Sequence, residues 1–276
     1  MKKPPILNID YNSIDDFHKD RRFFDKKEKT MISYWSDGEN IYWLKYLIGP
    51  YKESFVVYND IFAKDDKYCF MQNSKLKNVD YASFEVLNHC FAKDKKQVWC
   101  IGGKFEPADI STFEVCDEGY NRNLLNDEFY FDDDTMANGF TKISSGYAKD
   151  SKQVYCYDYA GKAVVLKNAT SAAFVSNNDG HYAWDHQYVF FKKKQIKNAD
   201  AATWRLIDLE NAFSADAKNV FCVDRQLIGA DVETLEIFSY TNNEGSIFKF
   251  QKDKNGIFDS YGSRVTMAEI EQKFNV

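Results

Sequence analysis

The chain has 276 residues, 44% of them apolar and 28% charged, so it can bury a sizeable core and is not expected to be disordered. Its 36 Lys and Arg against 42 Asp and Glu give a net charge of −6 without a basic stripe, which argues against a nucleic-acid partner. No apolar window approaches a membrane-spanning length and no apolar signal segment follows Met1, so we expect a cytoplasmic protein, or a periplasmic or surface protein whose signal was removed.

Residues 1–33 form the first predicted segment, an N-terminal helical cap. Ser13-Ile-Asp-Asp16 resembles a capping box, and apolar residues follow it at helical spacing: Ile14, Phe17 and Phe24. A C-terminal cap is predicted within residues 259–276, where a short helix begins after Thr266. Helices at both ends would cover the exposed faces of the terminal repeats.

Between these caps, over residues 34–258, the chain is a repeat. An aromatic residue followed three positions later by Asp recurs along it, ending at Asp37, Asp65, Asp94, Asp150, Asp185, Asp216 and Asp253. The segment Tyr120-Asn-Arg-Asn123 falls where a further copy belongs, which makes about eight repeats of roughly 30 residues. An Asp side chain accepts hydrogen bonds from N–H groups just ahead of it, so each copy predicts a strand, an Asp-stabilised turn and a second strand.

A second repeated segment follows each hairpin, as in Ala108-Asp-Ile-Ser-Thr-Phe113. Its Asp suits a helix N-cap, which predicts one helical turn before the aromatic residue. Two or three short strands and one helical turn cannot bury their own apolar face, so the repeats must stack. We therefore predict an all-β repeat protein of stacked hairpins with a solenoid-like form. A β-propeller is the alternative, disfavoured because propeller blades usually have four strands.

The hairpin copies Phe91-Ala-Lys-Asp-Lys-Lys-Gln-Val-Trp99 and Tyr147-Ala-Lys-Asp-Ser-Lys-Gln-Val-Tyr155, together with the Ala-Asp-x-x-Thr-Phe segments, resemble the DKNYY family. The resemblance covers roughly residues 34–258. It implies a bacterial origin and is nearly silent on activity; more loosely, it implies immunity factors encoded beside secreted antibacterial toxins. The sequence departs from the family pattern at residues 117–140 and at Trp184, where Lys is usual.

Few residues are candidates for chemistry. The six cysteines form no CxxC pair and lie among aromatic and β-branched residues, which indicates buried structural thiols in a reducing compartment. His181 and His186, with Asp179, are weighed as metal ligands, but their spacing matches no metal motif and decoration of a worn repeat is the favoured interpretation. No catalytic motif is present, so we predict that the protein is not an enzyme and carries no cofactor.

The run Asp132-Asp133-Asp134 is weighed as a calcium loop, a contact for a basic partner or a solvated loop. It lacks the alternating ligands of a calcium loop, but it lies in the most divergent repeat, where function is expected to be grafted. The predicted function is a protein-binding module, an immunity protein that neutralises a toxin, with Asp132, Asp133, Asp134, Trp184 and His186 as binding residues. A carbohydrate or cell-envelope binding module is the alternative, and a hydrolase using His181 or His186 is a third hypothesis.

Overall fold

A computed structural model describes residues 7–8, 23–25, 30–32, 34–36, 38–58, 61–88, 90–117, 146–158 and 161–274. In these residues the chain is mostly β, in several small antiparallel sheets, and no barrel is closed. Of the repeated Asp residues, Asp37 lies outside the described residues. The predicted copy at Tyr120–Asn123 also lies outside them, so the count of eight repeats stays a prediction.

The described residues hold seven four-stranded sheets and one two-stranded sheet. Unless stated, neighbouring strands follow one another along the chain and pair antiparallel. The first sheet contains β1 (Leu7–Asn8), which pairs parallel to β4 (Tyr34–Ser36), followed by β5 (Asn40–Trp43) and β6 (Tyr46–Pro50). The two-stranded sheet pairs β2 (Phe23–Asp25) with β3 (Thr30–Ile32).

The next three sheets repeat one plan. The second sheet contains β7 (Val56–Val57), β8 (Phe62–Lys64), β9 (Cys69–Met71) and β10 (Ser74–Lys75). The third contains β11 (Glu85–Val86), β12 (Phe91–Lys93), β13 (Val98–Cys100) and β14 (Gly103–Phe105). The fourth contains β15 (Glu114–Val115), β16 (Gly146–Lys149), β17 (Val154–Tyr157) and β18 (Val164–Val165).

The last three sheets follow the same plan. The fifth contains β19 (Val175–Ser176), β20 (Tyr182–Trp184), β21 (Val189–Phe191) and β22 (Lys194–Gln195). The sixth contains β23 (Arg205–Asp208), β24 (Phe213–Ala215), β25 (Val220–Cys222) and β26 (Arg225–Gln226). The seventh contains β27 (Glu236–Thr241), β28 (Ile247–Asp253), β29 (Gly256–Phe258) and β30 (Arg264–Val265).

Each of these sheets has four strands, so the prediction of two or three strands per repeat is wrong. The outer strands, such as Lys194–Gln195, are too short to show an alternating apolar pattern. The predicted helical turn is a 3-10 turn at Ile110–Thr112 and at Ser171–Ala173. With four strands per sheet, strand number no longer argues against a propeller, and the choice between a solenoid and a propeller stays a prediction.

The Asp-stabilised turn is present, with two bonds to one carboxylate oxygen, in five of the described hairpins. One carboxylate oxygen of Asp216 accepts hydrogen bonds from the N–H groups of Lys218 and Asn219, both at 2.7 Å. Asp65, Asp94, Asp150 and Asp185 make the same pair of bonds. The repeated Asp is therefore required by the turn that joins the two central strands.

The core lies between consecutive sheets rather than inside a single sheet. The fully buried Phe91 on β12 contacts Phe105, Phe113 and Tyr157, and the same cluster takes in Ala148 from the next sheet. Burying each such aromatic side chain stabilises the fold by about 1.5–3 kcal/mol. As predicted, a repeat completes its core only by packing on a neighbour.

The chain forms two compact units. The first comprises Met1–Lys167 and Ser176–His181, and the second comprises Asn168–Val175 and Tyr182–Val276. Within the first unit, the hydroxyl of the buried Tyr147 donates to the carbonyl of His181 at 2.7 Å. Within the second, the hydroxyl of Tyr182 donates to the carbonyl of Ala212 at 2.8 Å. These tyrosines add a hydrogen bond between repeats to the apolar contact.

A helix, α1 (Met267–Phe274), forms in the predicted C-terminal segment. Thr266 and Glu269 close its first turn through reciprocal hydrogen bonds, and Phe274 packs on Phe248 of β28 with ring centroids 4.3 Å apart. At the N-terminus, Phe24 lies in β2, and most of residues 1–33 is outside the described residues, so the pair of helical caps stays a prediction. In the described part of the chain, no helix is long and apolar enough to span a membrane.

Candidate functional site

Trp184 stands at the end of β20, where other repeats carry a lysine. In two of those repeats the amine reaches the following segment: Nζ of Lys64 donates to the carbonyl of Tyr81 at 3.0 Å, and Nζ of Lys93 to that of Phe113 at 2.8 Å. Trp184 instead packs on Trp204 of that segment, with ring centroids 5.4 Å apart, and is half-buried. The tryptophan that stands in place of lysine at position 184 therefore has an aromatic partner, Trp204, in the following segment.

His186 is exposed in the turn that follows β20, directly after the buried Asp185. Asp132, Asp133 and Asp134 lie outside the described residues, so their predicted role stays a prediction. Among the residues that the structure describes, no His, Cys, Asp and Glu side chains gather in a group of three or more that would hold a metal. His181, weighed as a metal ligand, donates its backbone N–H to the Asp179 carboxylate at 2.7 Å.

The most regular polar feature is a contact between repeats that we call an Asp junction. In each junction, one carboxylate oxygen of a hairpin Asp faces its own turn. The second oxygen accepts a backbone N–H from the preceding repeat, in the segment that follows that repeat's hairpin. Five junctions are described, formed by Asp94 with Asp80, Asp150 with Asp109, Asp185 with Thr170, Asp216 with Asp200 and Asp253 with Asp231, at 2.6–2.9 Å. One carboxylate thus holds its own turn and the neighbouring repeat.

The junctions also bond through side chains. In the Asp253 junction, Asp231 accepts from Nζ of Lys254 at 2.6 Å, and the Thr234 hydroxyl accepts the N–H of Lys254 at 3.0 Å. Arg264 adds two bonds to Asp253, at 2.6 and 2.8 Å. Both repeated segments are visible in the sequence but their junction is not, because the pairing of an Asp with an N–H more than a dozen residues away leaves no local pattern.

These bonds set the acid–base behaviour of the junctions. Burial alone raises the pKa of Asp253, but the bonds from Arg264, Asp231 and Asn255 outweigh it and lower the pKa from 3.8 to about 2. The bonded carboxyls of Asp150, Asp185 and Asp216 also have a lowered pKa in spite of burial. The folded protein therefore binds these protons more weakly than the unfolded chain does.

We expect the protein to lose stability in acid. A carboxyl whose pKa is lowered by folding stabilises the fold above its unfolded pKa, and this contribution is lost as pH falls through the folded pKa, from about pH 4 to about pH 2. For Asp253 the contribution is roughly 2 kcal/mol. The urea midpoint should be flat from about pH 7 to about pH 5 and fall below about pH 4. For Asp253→Asn, the difference from the unchanged protein should shrink on acidification; a constant difference would contradict the assignment.

All six cysteines are free, and only Cys116 is not fully buried. Burial raises the pKa of Cys69 and Cys222 from 9.0 to about 11, and that of Cys116 to about 12. Cys90 and Cys100 pack in the apolar cluster around Phe91. These environments are those of inert structural thiols.

We expect the thiols to be unreactive in the folded protein. A pKa two units above its usual value leaves about a hundredth of the thiolate, which is the reactive form. At about pH 8, Ellman's reagent should label Cys69, Cys116 and Cys222 at least about a hundredfold more slowly in the native protein than in the urea-unfolded chain. A fast phase in the native protein equal to one thiol would show that one cysteine is accessible and activated.

Comparison with models of known protein families gives a match. Residues 1–136 and 132–263 each match the model of the DKNYY family, as two tandem copies. A search of curated proteins and a search of solved structures give no match.

Proposed function

The chain belongs to the DKNYY family, and on that premise we propose that it is a non-enzymatic protein-binding repeat module, a bacterial immunity protein that neutralises a cognate secreted toxin. We place it in the cytoplasm, where its free thiols would persist. No cofactor is required by this function.

The observation that carries the proposal is the use of the repeated polar residues. The hairpin Asp side chains are bonded to backbone N–H groups of their own turn and of the preceding repeat. A residue used in this way once per repeat serves the fold, and function then falls to positions that depart from the repeat. Such departures favour a surface specific to this chain, as a binding module requires.

A pull-down with the tagged chain from an extract of the source bacterium tests this proposal. The tagged chain should capture one protein at equal stoichiometry after a wash in moderate salt, and the purified pair should form a complex by titration calorimetry. Coexpression should then relieve the toxicity of that partner. A folded bait that captures no stoichiometric partner contradicts the proposal.

The acidic net charge supports a basic partner, steered by long-range attraction. Asp132, Asp133 and Asp134 are the proposed contact on this chain. Replacing all three with Lys should weaken binding most at low salt, whereas the same charge change at the exposed Glu53, Glu233 and Glu244 should weaken it less. Equal losses in the two triple variants would exclude a specific contact at the Asp run.

A carbohydrate or cell-envelope ligand is the second candidate, and the first sheet supplies the observation that favours it. The Tyr46 ring on β6 is 46% exposed and stacks on the buried Trp43, with centroids 6.3 Å apart and an interplanar angle of 22°. A supported, exposed ring is suited to stacking on a sugar. Glycan-array binding that is lost in Tyr46→Ala and kept in Leu47→Ala would favour this candidate over a protein partner.

A further inference from the structure

One of the five Asp junctions lacks the side chains that the other four share. At the junctions of Asp94, Asp150, Asp216 and Asp253, the preceding repeat supplies an Asp and, three residues later, a Ser or Thr. At the Asp185 junction these positions are Thr170 and Ala173. The backbone bond remains, with the N–H of Thr170 donating to Asp185 at 2.8 Å, but the Thr170 side chain caps no N–H group.

The shared side chains bind the residue that follows the hairpin Asp. At the Asp150 junction this residue is Ser151: its N–H donates to the Thr112 hydroxyl at 2.9 Å and its hydroxyl to Asp109 at 3.0 Å. At the Asp94 junction, Lys95 donates its N–H to the Ser83 hydroxyl at 3.1 Å, and its amine lies 2.7 Å from Asp80. A carboxylate and a hydroxyl of the preceding repeat thus cover both donors of this residue.

The equivalent residue at the Asp185 junction is His186, and it is exposed. Ala173 has no oxygen to accept its N–H, and Thr170 has no carboxylate for its side chain. The backbone N–H and the side chain of His186 therefore lack the hydroxyl and the carboxylate that the preceding repeat supplies at the Asp94 and Asp150 junctions. The half-buried Trp184, packed on Trp204, holds the strand that leads into this turn.

The neighbouring charge limits which anion this site accepts. The Asp185 carboxylate is buried in the same turn, so a phosphate carrying two charges would meet repulsion. A single carboxylate is tolerated in this position when donors bond to it: Asp80, Asp109 and Asp231 each lie beside a hairpin Asp and accept bonds from Lys95, Ser151 and Lys254, respectively. The fold itself thus supplies the template for a carboxylate ligand.

We propose that the Asp185 junction is a binding site for an Asp or Glu side chain of a protein partner, followed by a Ser or Thr that accepts the His186 N–H. The inference rests on the proposed protein-binding function and deepens it by naming the contact. Thr170 and Ala173 keep the backbone position of the segment, and the partner supplies only the side-chain oxygens that Asp109 and Thr112 supply at the Asp150 junction.

The first test uses a capped Ala-Asp-Ile-Ser-Thr peptide, the sequence of residues 108–112, as the probe. In 1H–15N NMR titration of the full chain, the peptide should shift the amide signals of His186 and Gln187. The matched Ala-Asn-Ile-Ser-Thr peptide should bind about tenfold more weakly, since it loses a charge-assisted bond. No shift at His186, or equal shifts with the two peptides, overturns the proposal.

The second test completes the junction from within the chain. The double variant Thr170→Asp/Ala173→Thr should be at least as stable as the unchanged protein and should lose the peptide-induced shifts, because its own side chains cover His186. The matched control, Asp231→Thr/Thr234→Ala, removes the same side chains at the Asp253 junction and should lower the urea midpoint without changing the shifts at His186. Undiminished peptide binding by the completed junction overturns the proposal.

The same variants separate this site from the proposed function. A captured partner that binds the Thr170→Asp/Ala173→Thr variant unchanged leaves the binding function standing and overturns the site. Peptide binding at His186 without any captured partner leaves the site standing and contradicts the proposed function.

Discussion

Replacing Asp216 with alanine is expected to lower the free energy of unfolding by about 3–5 kcal/mol. The Asp216 carboxylate is 1% exposed and accepts bonds from the N–H groups of Lys218, Asn219 and Asp200 and from the Asn219 amide. Alanine leaves these donors without an acceptor where water has little access, which costs more than the bonds themselves contribute. Urea unfolding at neutral pH measures the loss.

Two variants in the same repeat control this result. Lys218→Ala changes an exposed side chain in the turn and should move stability by less than about 0.5 kcal/mol. Asp216→Asn keeps one oxygen for the turn but puts an amide where an acceptor is needed, so its loss should lie between those of the other two variants. If Asp216→Ala were no worse than Lys218→Ala, the Asp junction would not be a determinant of the fold.

Gly102→Ala is the second large effect, with an expected loss of about 3 kcal/mol or more. Gly102 lies in the turn between β13 and β14, and a Cβ atom placed on it would stand 1.5 Å from the carbonyl oxygen of Gly161. The obstacle is backbone, so no side-chain rotation relieves it, and the two loops must separate. Thermal or urea unfolding of the full chain measures the loss.

Gly49→Ala is the matched control, because nothing lies within 4 Å of a Cβ atom at that position and its φ is not in the left-handed region. Its effect should be within about 0.5 kcal/mol, or slightly stabilising through the unfolded chain. Gly103→Ala is unsuitable as a control, since its φ of +114° strains any side chain. Similar losses for Gly102→Ala and Gly49→Ala would contradict the close approach.

The sequence predicted the parts of the fold that repeat in fixed register. The hairpin turn at Asp216 followed from the recurrence of an aromatic residue three positions before an Asp, because the bonds involved span only three residues. The number of strands did not follow, since β26 (Arg225–Gln226) is two residues long and carries no periodicity. Sheet number and register depend on contacts between distant residues, which one sequence does not display.

The candidate site was predictable only in part. Trp184 was identified as a departure from the family pattern and His186 as a candidate binding residue. The side chains that are missing from their junction belong to a different segment, at Thr170 and Ala173. Aligning the segment with Ala108–Phe113 would have exposed the missing Asp and Thr. The effect of this missing Asp and Thr on His186 is visible only in the structure, because Thr170 and Asp185 are 15 residues apart in the chain.

The Asp junction also bears on how such a chain can gain or lose a repeat. Every intact junction joins equivalent atoms, the second oxygen of a hairpin Asp and the N–H of the Asp that follows the preceding hairpin. Excising or duplicating the stretch from one hairpin Asp to the next therefore rebuilds a junction of the same composition at the seam. In-frame recombination within the gene can thus change repeat number while leaving every seam bonded, and the Asp185 junction marks the place where such an exchange would transfer a different surface.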